Sequence, residues 1–290
     1  MRQEAESPSL RSCVVSSRIA NMEKDIKFYT SQNKEAWNEV MPKHQAVSKE
    51  KLDRLFSSPG YIDITDENFL EALRKVDVRG KDVIHLCCNN GCELFSIKNL
   101  GAKRCVGIDI SDLAITEAQE RAKKCSIDCE FILSDVYDIP QALYDSFDVA
   151  VLTAGCVGWI PDLKGFFKII FQLLRQNGMV MLHEIHPFSD MLPLDNNDTE
   201  NRLQIIEPYF RDAPVIENGS LDYLGNTNYV AKTQYWFVHT ISELISELIN
   251  SGLTIECFAE YAQDISAVHK EQEKLHAKIP LSYILTARKK

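Results

Sequence analysis

The stretch 81–111 constrains the fold of this chain more than any other. Residues 83–87 form an almost continuous apolar run, which is typical of a parallel strand buried on both faces. The triplet Asn-Asn-Gly at 89–91 follows, and these residue types accept the positive φ angles that a tight turn from strand to helix needs. Helical spacing from 92 to 100 and a second apolar run from 104 to 110 complete the pattern. The stretch therefore predicts a strand, a helix and a second parallel strand.

An acid closes the second of these strands. Asp109 follows the turn by about twenty residues, the position from which an acid contacts the ribose hydroxyls of a bound nucleotide. Dinucleotide-binding proteins add the fingerprint Gly-x-Gly-x-x-Gly, whose glycines let a pyrophosphate approach the backbone. Here the turn reads Leu-Cys-Cys-Asn-Asn-Gly, and Gly91 is its single glycine. The pattern favours a nucleoside cofactor without a pyrophosphate, and it leaves a nicotinamide-dependent oxidoreductase as an alternative.

The central turn resembles motif I of class I S-adenosylmethionine-dependent methyltransferases, in the variant His-Leu-x-Cys found among small-molecule methyltransferases. His85 stands where that family often has an acid, and Cys87 and Asn89 stand where it commonly has glycines. The runs Gly-Trp-Ile-Pro-Asp-Leu at 158–163 and His-Pro-Phe at 186–188 are similar to further signatures of the same group.

The resemblance implies which residues would contact the cofactor. The turn at 87–91 would lie at its methionine end, the end of the second strand at the ribose, the end of the third at the adenine, and the end of the fourth near the sulfur. An N-terminal helical cap would add two aromatic side chains, for which packing within the cap is the alternative. In chain order, the expected contacts are Tyr29, Trp37, His85, Cys87, Cys88, Asn89, Gly91, Asp109, Ile110, Ser111, Asp135, Val136 and Thr153.

The same resemblance implies an S-adenosylmethionine-dependent methyltransferase that acts on an O, N or S nucleophile of a small-molecule metabolite and releases S-adenosylhomocysteine. The leaving group of such an in-line displacement is already activated, so the protein chiefly aligns the reactants. A base is needed only where the nucleophile must lose a proton. A regulator that binds the cofactor without transferring its methyl group is the main alternative.

The run His-Glu-Ile-His at 183–186 marks the end of the predicted fifth strand, and ligands of α/β proteins bind beyond such strand ends. Because side chains alternate along a strand, Glu184 and His186 share one face and His183 points to the other. These three residues and His239, at the start of a later helix, are the candidate catalytic residues. A structural hydrogen bond is the alternative for each histidine. The spacing differs from the helical zinc motif His-Glu-x-x-His, so no metal is expected.

Composition narrows the range of partners. The chain of 290 residues carries a net charge of −10, which disfavours binding to nucleic acid. No apolar run reaches the length of a membrane span, and the N-terminus lacks the apolar core of a signal peptide. Nine cysteines, mostly within predicted strands and helices, indicate reduced thiols. We therefore expect a cytoplasmic protein, a monomer or a homodimer, with neither nucleic acid nor a membrane as partner.

We predict an α/β fold, the Rossmann-like seven-stranded sheet of class I methyltransferases with an antiparallel last strand. Residues 1–21 are expected to be disordered, 22–78 to form the helical cap with a break at Pro42, and 79–290 to form the cofactor-binding domain. The segment 189–238 is too long for an ordinary connection, which predicts an inserted lid over the acceptor. The aromatic residues expected to bind the acceptor are Trp159, Tyr209, Tyr223, Tyr235 and Trp236.

Overall fold

The computed structural model describes residues 25–195, 197, 199–225, 227 and 229–290. The prediction for 1–21 lies outside these residues. The strands are β1 Asp82–Leu86, β2 Arg104–Asp109, β3 Glu130–Leu133, β4 Phe147–Thr153, β5 Leu174–Ile185, β6 Val215–Glu217, β7 Gln234–Trp236, β8 Leu253–Tyr261 and β9 Ser282–Lys289.

The α-helices of this part of the chain are α1 Ile26–Phe56, α2 Glu67–Val76, α3 Cys92–Asn99, α4 Asp112–Cys125, α5 Leu163–Leu173, α6 Ile241–Asn250 and α7 Lys270–Lys274. Side-chain caps set the starts of several of them. Ser111 caps α4 by accepting a hydrogen bond from the backbone of Ala114, as its position after β2 predicts. Within the described ranges, no helix combines the length and the apolar composition needed to cross a membrane.

Seven strands form one sheet in the order β3-β2-β1-β4-β5-β9-β8. The pairs β3–β2, β2–β1, β1–β4 and β4–β5 are parallel, whereas β9 runs antiparallel to both β5 and β8. The predicted fold class is therefore confirmed, including its antiparallel last strand. The direction in which strands are added reverses between β1 and β4, and in open α/β sheets such a reversal opens the crevice in which ligands bind.

Helices cover both faces of this sheet. One hydrophobic cluster packs α5 and α6 on one face, and a second packs α2, α3 and α4 on the other. All five residues of β1 are buried, as expected for a central strand with neighbours on both faces. The core thus fixes the ends of β1, β2 and β4, from which the site is built.

The N-terminal helix α1 runs through 31 residues without interruption. The predicted break at Pro42 is wrong. A proline removes one hydrogen bond of the helix ladder, but Val40, Met41 and His44 are buried around it, so packing holds both sides of the proline in one helix. Further along, the guanidinium of Arg121 in α4 donates to Asp53 of α1 over 3.0 Å and anchors the helix to the body.

The segment between β5 and α6 packs on this helix and contains the two-stranded sheet of β6 and β7. The side-chain amide of Asn33 donates to the carbonyl of Tyr235 over 3.0 Å, and its oxygen accepts from the N–H of the same residue over 2.8 Å. These two bonds reproduce the pairing that a neighbouring strand would make. The helix and the strand β7 therefore form a continuous wall above the carboxyl edge of the large sheet.

Candidate functional site

A cavity of about 840 Å³ lies at the carboxyl edge of the sheet. The segments that leave β1, β2, β3 and β4 form its floor, and α1 with the stretches 190–195, 217–227 and 265–269 encloses it. The predicted site residues on its surface are Trp37, Cys87, Cys88, Asn89, Asp109, Ile110, Ser111, Asp135, Val136, Thr153, Trp159, Tyr223 and Trp236. The predicted site residues that do not line the cavity are Tyr29, His85, Gly91, His183, Glu184, His186, Tyr209, Tyr235 and His239.

The turn after β1 has a left-handed backbone at three positions: Cys87 with φ 55°, Asn89 with φ 48° and Gly91 with φ 80°. Asparagine and glycine accept this conformation readily, whereas for Cys87 it is a strained one. A Cβ atom at Gly91 would lie 2.6 Å from the ring of Phe131, so the turn also needs glycine for space. The sequence therefore gives this turn a shape that brings its backbone to the cavity.

Asp109 joins the turns that follow β1 and β2. One carboxylate oxygen accepts the N–H of Asn89 and the other the N–H of Ser111, both over 2.8 Å. Burial raises the pKa of Asp109, although these N–H groups act in the opposite direction. Each carboxylate oxygen keeps a second lone pair, and such oxygens suit the hydroxyl donors of a ribose.

Asp135 closes the third strand end and binds α1 above it. Its Oδ2 accepts the hydroxyl of Thr30 over 2.7 Å and the ammonium of Lys27 over 3.1 Å, while its Oδ1 accepts the N–H of Tyr137 over 3.0 Å. Sequence reasoning missed Thr30, because nothing in the helical pattern shows which residue of α1 will face a loop about a hundred positions away. The contact places the N-terminal helix over the end of the cavity that Asp135 marks.

His85 lies beneath the cavity floor, fully buried in the central strand. Its Nε2 lies 2.9 Å from the hydroxyl oxygen of Thr153, which does line the cavity. Burial lowers the pKa of His85 to about 4, so the ring is neutral at physiological pH. The structure thus makes His85 a support for Thr153, and the hydroxyl reaches the cavity in its place.

Glu184 holds the loop that follows β4. Its carboxylate accepts the N–H of Gly155 over 2.8 Å and that of Val157 over 3.1 Å. Burial raises its pKa to about 8, although both N–H groups act in the opposite direction. This side chain therefore shapes the cavity through Gly155, which lines it, rather than by facing it.

The three histidine candidates have other partners within the described residues. His183 stacks on Phe69 with ring centres 4.6 Å apart and has its Nε2 3.3 Å from Asp66. His186 has its Nε2 3.0 Å from Glu260, and the Nε2 of His239 lies 2.7 Å from a backbone carbonyl of the loop after β4. As expected from alternation along β5, His183 lies on the opposite face from Glu184. The structure does not bring the four predicted catalytic residues together at the cavity.

Three tryptophans line one side of the cavity in a chain of edge-to-face contacts. The ring centres of Trp37 and Trp159 lie 5.6 Å apart, and those of Trp159 and Trp236 lie 5.0 Å apart. A Cβ at Gly158 would come within 2.3 Å of Trp236, so the glycine in Gly-Trp-Ile-Pro-Asp-Leu makes room for this ring. Each indole remains partly exposed and so presents ring surface to a ligand.

The predicted aromatic residues of the lid divide into two groups. Tyr223 lines the cavity, and its ring packs against His44 of α1 at 4.6 Å. Tyr235 and Tyr29 instead contact each other at 5.0 Å, which joins β7 to α1, and the hydroxyl of Tyr209 accepts the N–H of Ile241 at the start of α6. Tyr29 therefore packs within the protein, which was the alternative to contact with the cofactor for the aromatic residues of the cap.

Sequence reasoning missed several carboxylates on the cavity surface: Glu93, Asp190, Asp195, Glu217 and Asp222. Asp222 forms part of a turn, where its oxygens accept from Gly225 and Thr227. Its spacing to Gly225 is the one sequence signal that could have placed it, as a side chain that caps a turn. Glu93 follows the turn at 87–91 and Asp190 follows the run His-Pro-Phe at 186–188. The sequence of these motifs does not show which acidic side chains face the cavity.

These features fit S-adenosylmethionine. Asp109 and Asp135 stand at successive strand ends with the apolar side chains of Ile110 and Val136 beside them, an arrangement suited to the hydroxyl and amino groups and the flat base of a nucleoside. The bent turn at 87–91 brings backbone to the opposite part of the same cavity. Within the described ranges, no group of three or more His, Cys, Asp or Glu side chains is arranged to hold a metal ion.

Part of this chain is similar to proteins of known sequence that are named as methyltransferases. The ribosomal protein L11 methyltransferase of Haemophilus ducreyi is 32% identical over 151 residues, which is 50% of this chain and 50% of that protein. The corresponding protein of Thermosipho africanus is 28% identical over 163 residues and is covered over 58% of its length. The chain thus spans about half the length of these curated relatives.

Solved structures show the same fold. An S-adenosylmethionine dependent methyltransferase from Mesorhizobium loti has a TM-score of 0.54 at 21% identity, over 75% of this chain and 96% of that one. The geranyl diphosphate C-methyltransferase of Streptomyces coelicolor A3(2), in complex with S-adenosyl-L-homocysteine, has a TM-score of 0.53 at 11% identity, over 77% and 79%. At these identities the likeness concerns the fold.

The family model described as a methyltransferase domain matches residues 77–225, half of the chain. The match spans β1 to β6 and therefore includes all four strand ends that form the cavity floor. It confirms the prediction of a methyltransferase domain. The chain belongs to the methyltransferase domain family.

Proposed function

We propose that this protein transfers a methyl group from S-adenosylmethionine to a small-molecule acceptor. The observation that carries the proposal is the position of Asp109, whose carboxylate spans the turns after β1 and β2 at the edge of an 840 Å³ cavity. An acid held in this way by two backbone N–H groups is preorganised to receive hydroxyl donors.

We infer a part for each stretch from its position on the cavity surface. The backbone of the turn at 87–91 would take the methionine end of the cofactor, Asp109 and Ile110 the ribose, and Asp135 and Val136 the adenine. Thr153 would face the region of the sulfur. When bound, S-adenosylmethionine supplies a methyl group on a sulfonium that is ready to leave, so what remains for the protein is alignment of the acceptor and exclusion of water.

Enclosure of the cavity supports a small acceptor. The wall formed by α1 and β7 is held by the two hydrogen bonds of Asn33, and the stretch 265–269 adds a further side. The volume lies near the upper end of the range of about 300–1,000 Å³ for ligand pockets, as expected where two ligands bind together. The relatives named for ribosomal protein L11 carry their activity on chains of which only about half matches this one.

A base, where the acceptor needs one, would come from the cavity surface. Asp190 and Glu217 line the cavity, whereas His183, Glu184 and His186 do not. We therefore propose that Glu184 acts as a positioning residue through Gly155 and Val157, and that proton removal falls to carboxylates of the segment after β5.

Calorimetric titration with S-adenosylmethionine, and separately with NAD, tests the proposal. We expect saturable binding of S-adenosylmethionine alone. The variant Asp109→Asn should weaken it by about tenfold or more, since a hydrogen bond to a charged group contributes about 1.5–3 kcal/mol. Asp145→Asn is the matched control, because Asp145 is exposed and pairs with Lys289 far from the cavity.

Three outcomes would contradict the proposal in different ways. Binding of NAD alone would indicate an oxidoreductase. Equal affinities of Asp109→Asn and Asp145→Asn would remove Asp109 from the site. Binding of S-adenosylmethionine without transfer of a labelled methyl group to any fraction of small metabolites would indicate a regulator.

A further inference from the structure

The part of the cavity beside the tryptophans carries a charge pattern that the proposed function does not explain. Seven carboxylates line the cavity: Glu93, Asp109, Asp135, Asp190, Asp195, Glu217 and Asp222. Among the described residues, no lysine or arginine shares that surface with them. Asp109 and Asp135 belong to the part of the cavity proposed for the cofactor, which we call the cofactor side. The proposed function does not explain the carboxylates of the remaining part, which we call the acceptor side.

Two of the carboxylates form a pair at the end of the chain of tryptophans. The indole N–H of Trp236 donates to Oδ1 of Asp190 over 3.1 Å. Glu217 is the last residue of β6, whose pairing with β7 places Val215 opposite Trp236. We call Asp190 and Glu217 the carboxylate pair.

The carboxylate pair is not neutralised by its neighbours. Arg211 is the cation whose charge acts on both members, and its guanidinium donates to the backbone carbonyl of Asp190 over 2.6 Å. Within the described residues, the side chain of Glu217 and Oδ2 of Asp190 receive no hydrogen bond from another side chain. Because the guanidinium of Arg211 also lies 3.9 Å from Glu207, its single charge does not cancel the charges of the carboxylate pair.

The raised pKa values of the carboxylate pair show that ionisation of these two side chains is unfavourable in the empty cavity. Burial raises the pKa of Asp190 to about 6, and the charge of Glu217 adds to this effect, although Arg211 and Trp236 act in the opposite direction. Partial burial also raises the pKa of Glu217, although this residue is exposed to solvent. A carboxylate that is hard to ionise in the empty cavity gains most from a ligand that brings a positive charge.

The adjacent rings suit the same ligand. Trp159 and Trp236 line the cavity and are partly exposed, and indole is the aromatic ring that attracts cations most strongly. Carboxylates beside tryptophan rings, with no lysine or arginine among the described lining residues, suit an organic ammonium group. An anionic acceptor would meet repulsion here, and a neutral one would leave the carboxylates without partners.

We propose that the methyl acceptor is an amine that enters as an ammonium cation and is held between the carboxylate pair and the faces of Trp159 and Trp236. This inference rests on the proposed function and names its substrate class. The ammonium proton passes to a carboxylate of the pair before transfer. The new bond then joins the amine nitrogen to the methyl carbon, and the bond from that carbon to sulfur breaks with its electron pair remaining on sulfur.

The test uses cations and their neutral isosteres on the full chain saturated with S-adenosylhomocysteine. Suitable pairs are choline and 3,3-dimethylbutan-1-ol, benzylammonium and benzyl alcohol, and butylammonium and butanol. We expect at least one cation to bind about tenfold more tightly than its isostere, a difference that corresponds to about 1.4 kcal/mol. Absence of this preference in all three pairs would overturn the proposal, and so would methyl transfer only to neutral or anionic acceptors.

Two isosteric variants assign the preference to the carboxylate pair. Asp190→Asn keeps an oxygen for the indole N–H of Trp236, and Glu217→Gln changes a strand end without loss of volume. Each should reduce the preference for the cation by about threefold or more. Glu71→Gln on the exposed face of α2 is the control, because its carboxylate pairs with Lys75 on the surface. A preference that survives both variants would contradict the assignment.

The positively charged sulfur of the cofactor is the competing ligand for the same charges. S-adenosylmethionine carries this charge and S-adenosylhomocysteine does not. The ratio of their affinities therefore shows whether the carboxylate pair binds the sulfonium or the acceptor. Asp190→Asn should leave the ratio of these affinities unchanged if the pair serves the acceptor. A ratio that falls in Asp190→Asn would assign the pair to the sulfonium and overturn the amine proposal while leaving the methyltransferase proposal intact.

Discussion

The two sides of the cavity differ in how their polar groups are satisfied. On the cofactor side, Asp109 has both oxygens bound by backbone N–H groups of adjacent turns, and Asp135 is bound by its own turn and by α1. On the acceptor side, Asp190 receives one indole N–H, and Glu217 receives no donor from the described side chains. The first arrangement is complete without an acceptor, whereas the second gains its partners from a bound molecule.

This difference reflects where the residues come from. The cofactor side is built from turns that directly follow strands of one sheet, so short-range geometry fixes it. The acceptor side combines Trp37 of α1 with Asp190 and Trp236 of the segment after β5. A fold can keep the first and vary the second, which is how one scaffold comes to serve different acceptors.

On the cofactor side, we expect the largest loss of stability from the substitution Gly91→Ala. A Cβ there would lie 2.6 Å from the ring of Phe131 in a backbone with φ 80°, so we expect the free energy of unfolding to fall by about 3 kcal/mol. Chemical denaturation measures this loss. Gly80→Ala is the control, because Gly80 has φ 70° with nothing within 4 Å of its Cβ position. Equal losses of unfolding free energy in Gly91→Ala and Gly80→Ala would mean that the close approach to Phe131 has no effect on stability.

The next effect separates positioning from catalysis at Glu184. Glu184→Ala leaves the N–H groups of Gly155 and Val157 without their acceptor, and unsatisfied buried groups cost about 1–3 kcal/mol each. We expect a loss of about 3 kcal/mol in the free energy of unfolding, and a smaller loss in Glu184→Gln, which keeps one acceptor oxygen. Both are measured by denaturation in urea. Unchanged stability with loss of methyl transfer would instead make Glu184 a catalytic residue.

The pH dependence of ligand affinity tests whether the carboxylate of Asp190 binds the acceptor. Because burial raises the pKa of Asp190 to about 6, its carboxylate is ionised above that pH and protonated below it. The groups whose charge or hydrogen bond acts on Asp190 are Arg211, Trp236 and Glu217. We expect the affinity for an ammonium ligand to fall by up to about tenfold from pH 7.5 to pH 5, measured by calorimetry. Asp190→Asn should flatten this dependence, and an unaltered slope would contradict it.

The smallest effect concerns the contact of α1 with the cofactor side. Thr30→Val preserves the shape of the side chain and removes the hydrogen bond to Oδ2 of Asp135. Such a bond contributes about 1 kcal/mol, so the affinity for S-adenosylmethionine should fall by about threefold to fivefold. Thr116→Val is the control, since that hydroxyl bonds only within α4. A loss of a hundredfold would show that α1 holds the cofactor far more directly.

The sequence predicts the strands and turns around Asp109 well because the signals there are local. The apolar run of β1, the turn residues at 89–91 and the spacing to Asp109 all belong to one continuous stretch, and the seven-stranded sheet follows from repetition of that unit. Even here, the left-handed conformation of Cys87 had no signal, because the side chain gives no preference for it.

The sequence predicts less of the contacts that α1 and the segment after β5 make, because these contacts join distant positions. Thr30 meets Asp135, and Asn33 pairs with Tyr235 across about two hundred residues, without any local pattern. Pro42 indicated a break that packing of α1 overrides. The histidines at the end of β5 stood at a strand end as expected, but strand position alone does not show that other partners lie nearer than the cavity.

A crystal structure of the protein with S-adenosylhomocysteine tests the central claim most directly, since it shows which side of the cavity the nucleoside occupies. The account predicts ribose hydroxyls within hydrogen-bond distance of Asp109 and the adenine beside Asp135 and Val136. The part of the cavity lined by Asp190, Glu217 and Trp236 should remain free for the acceptor. A nucleoside that lies against Trp236 and Asp190, with Asp109 making no contact, would contradict it.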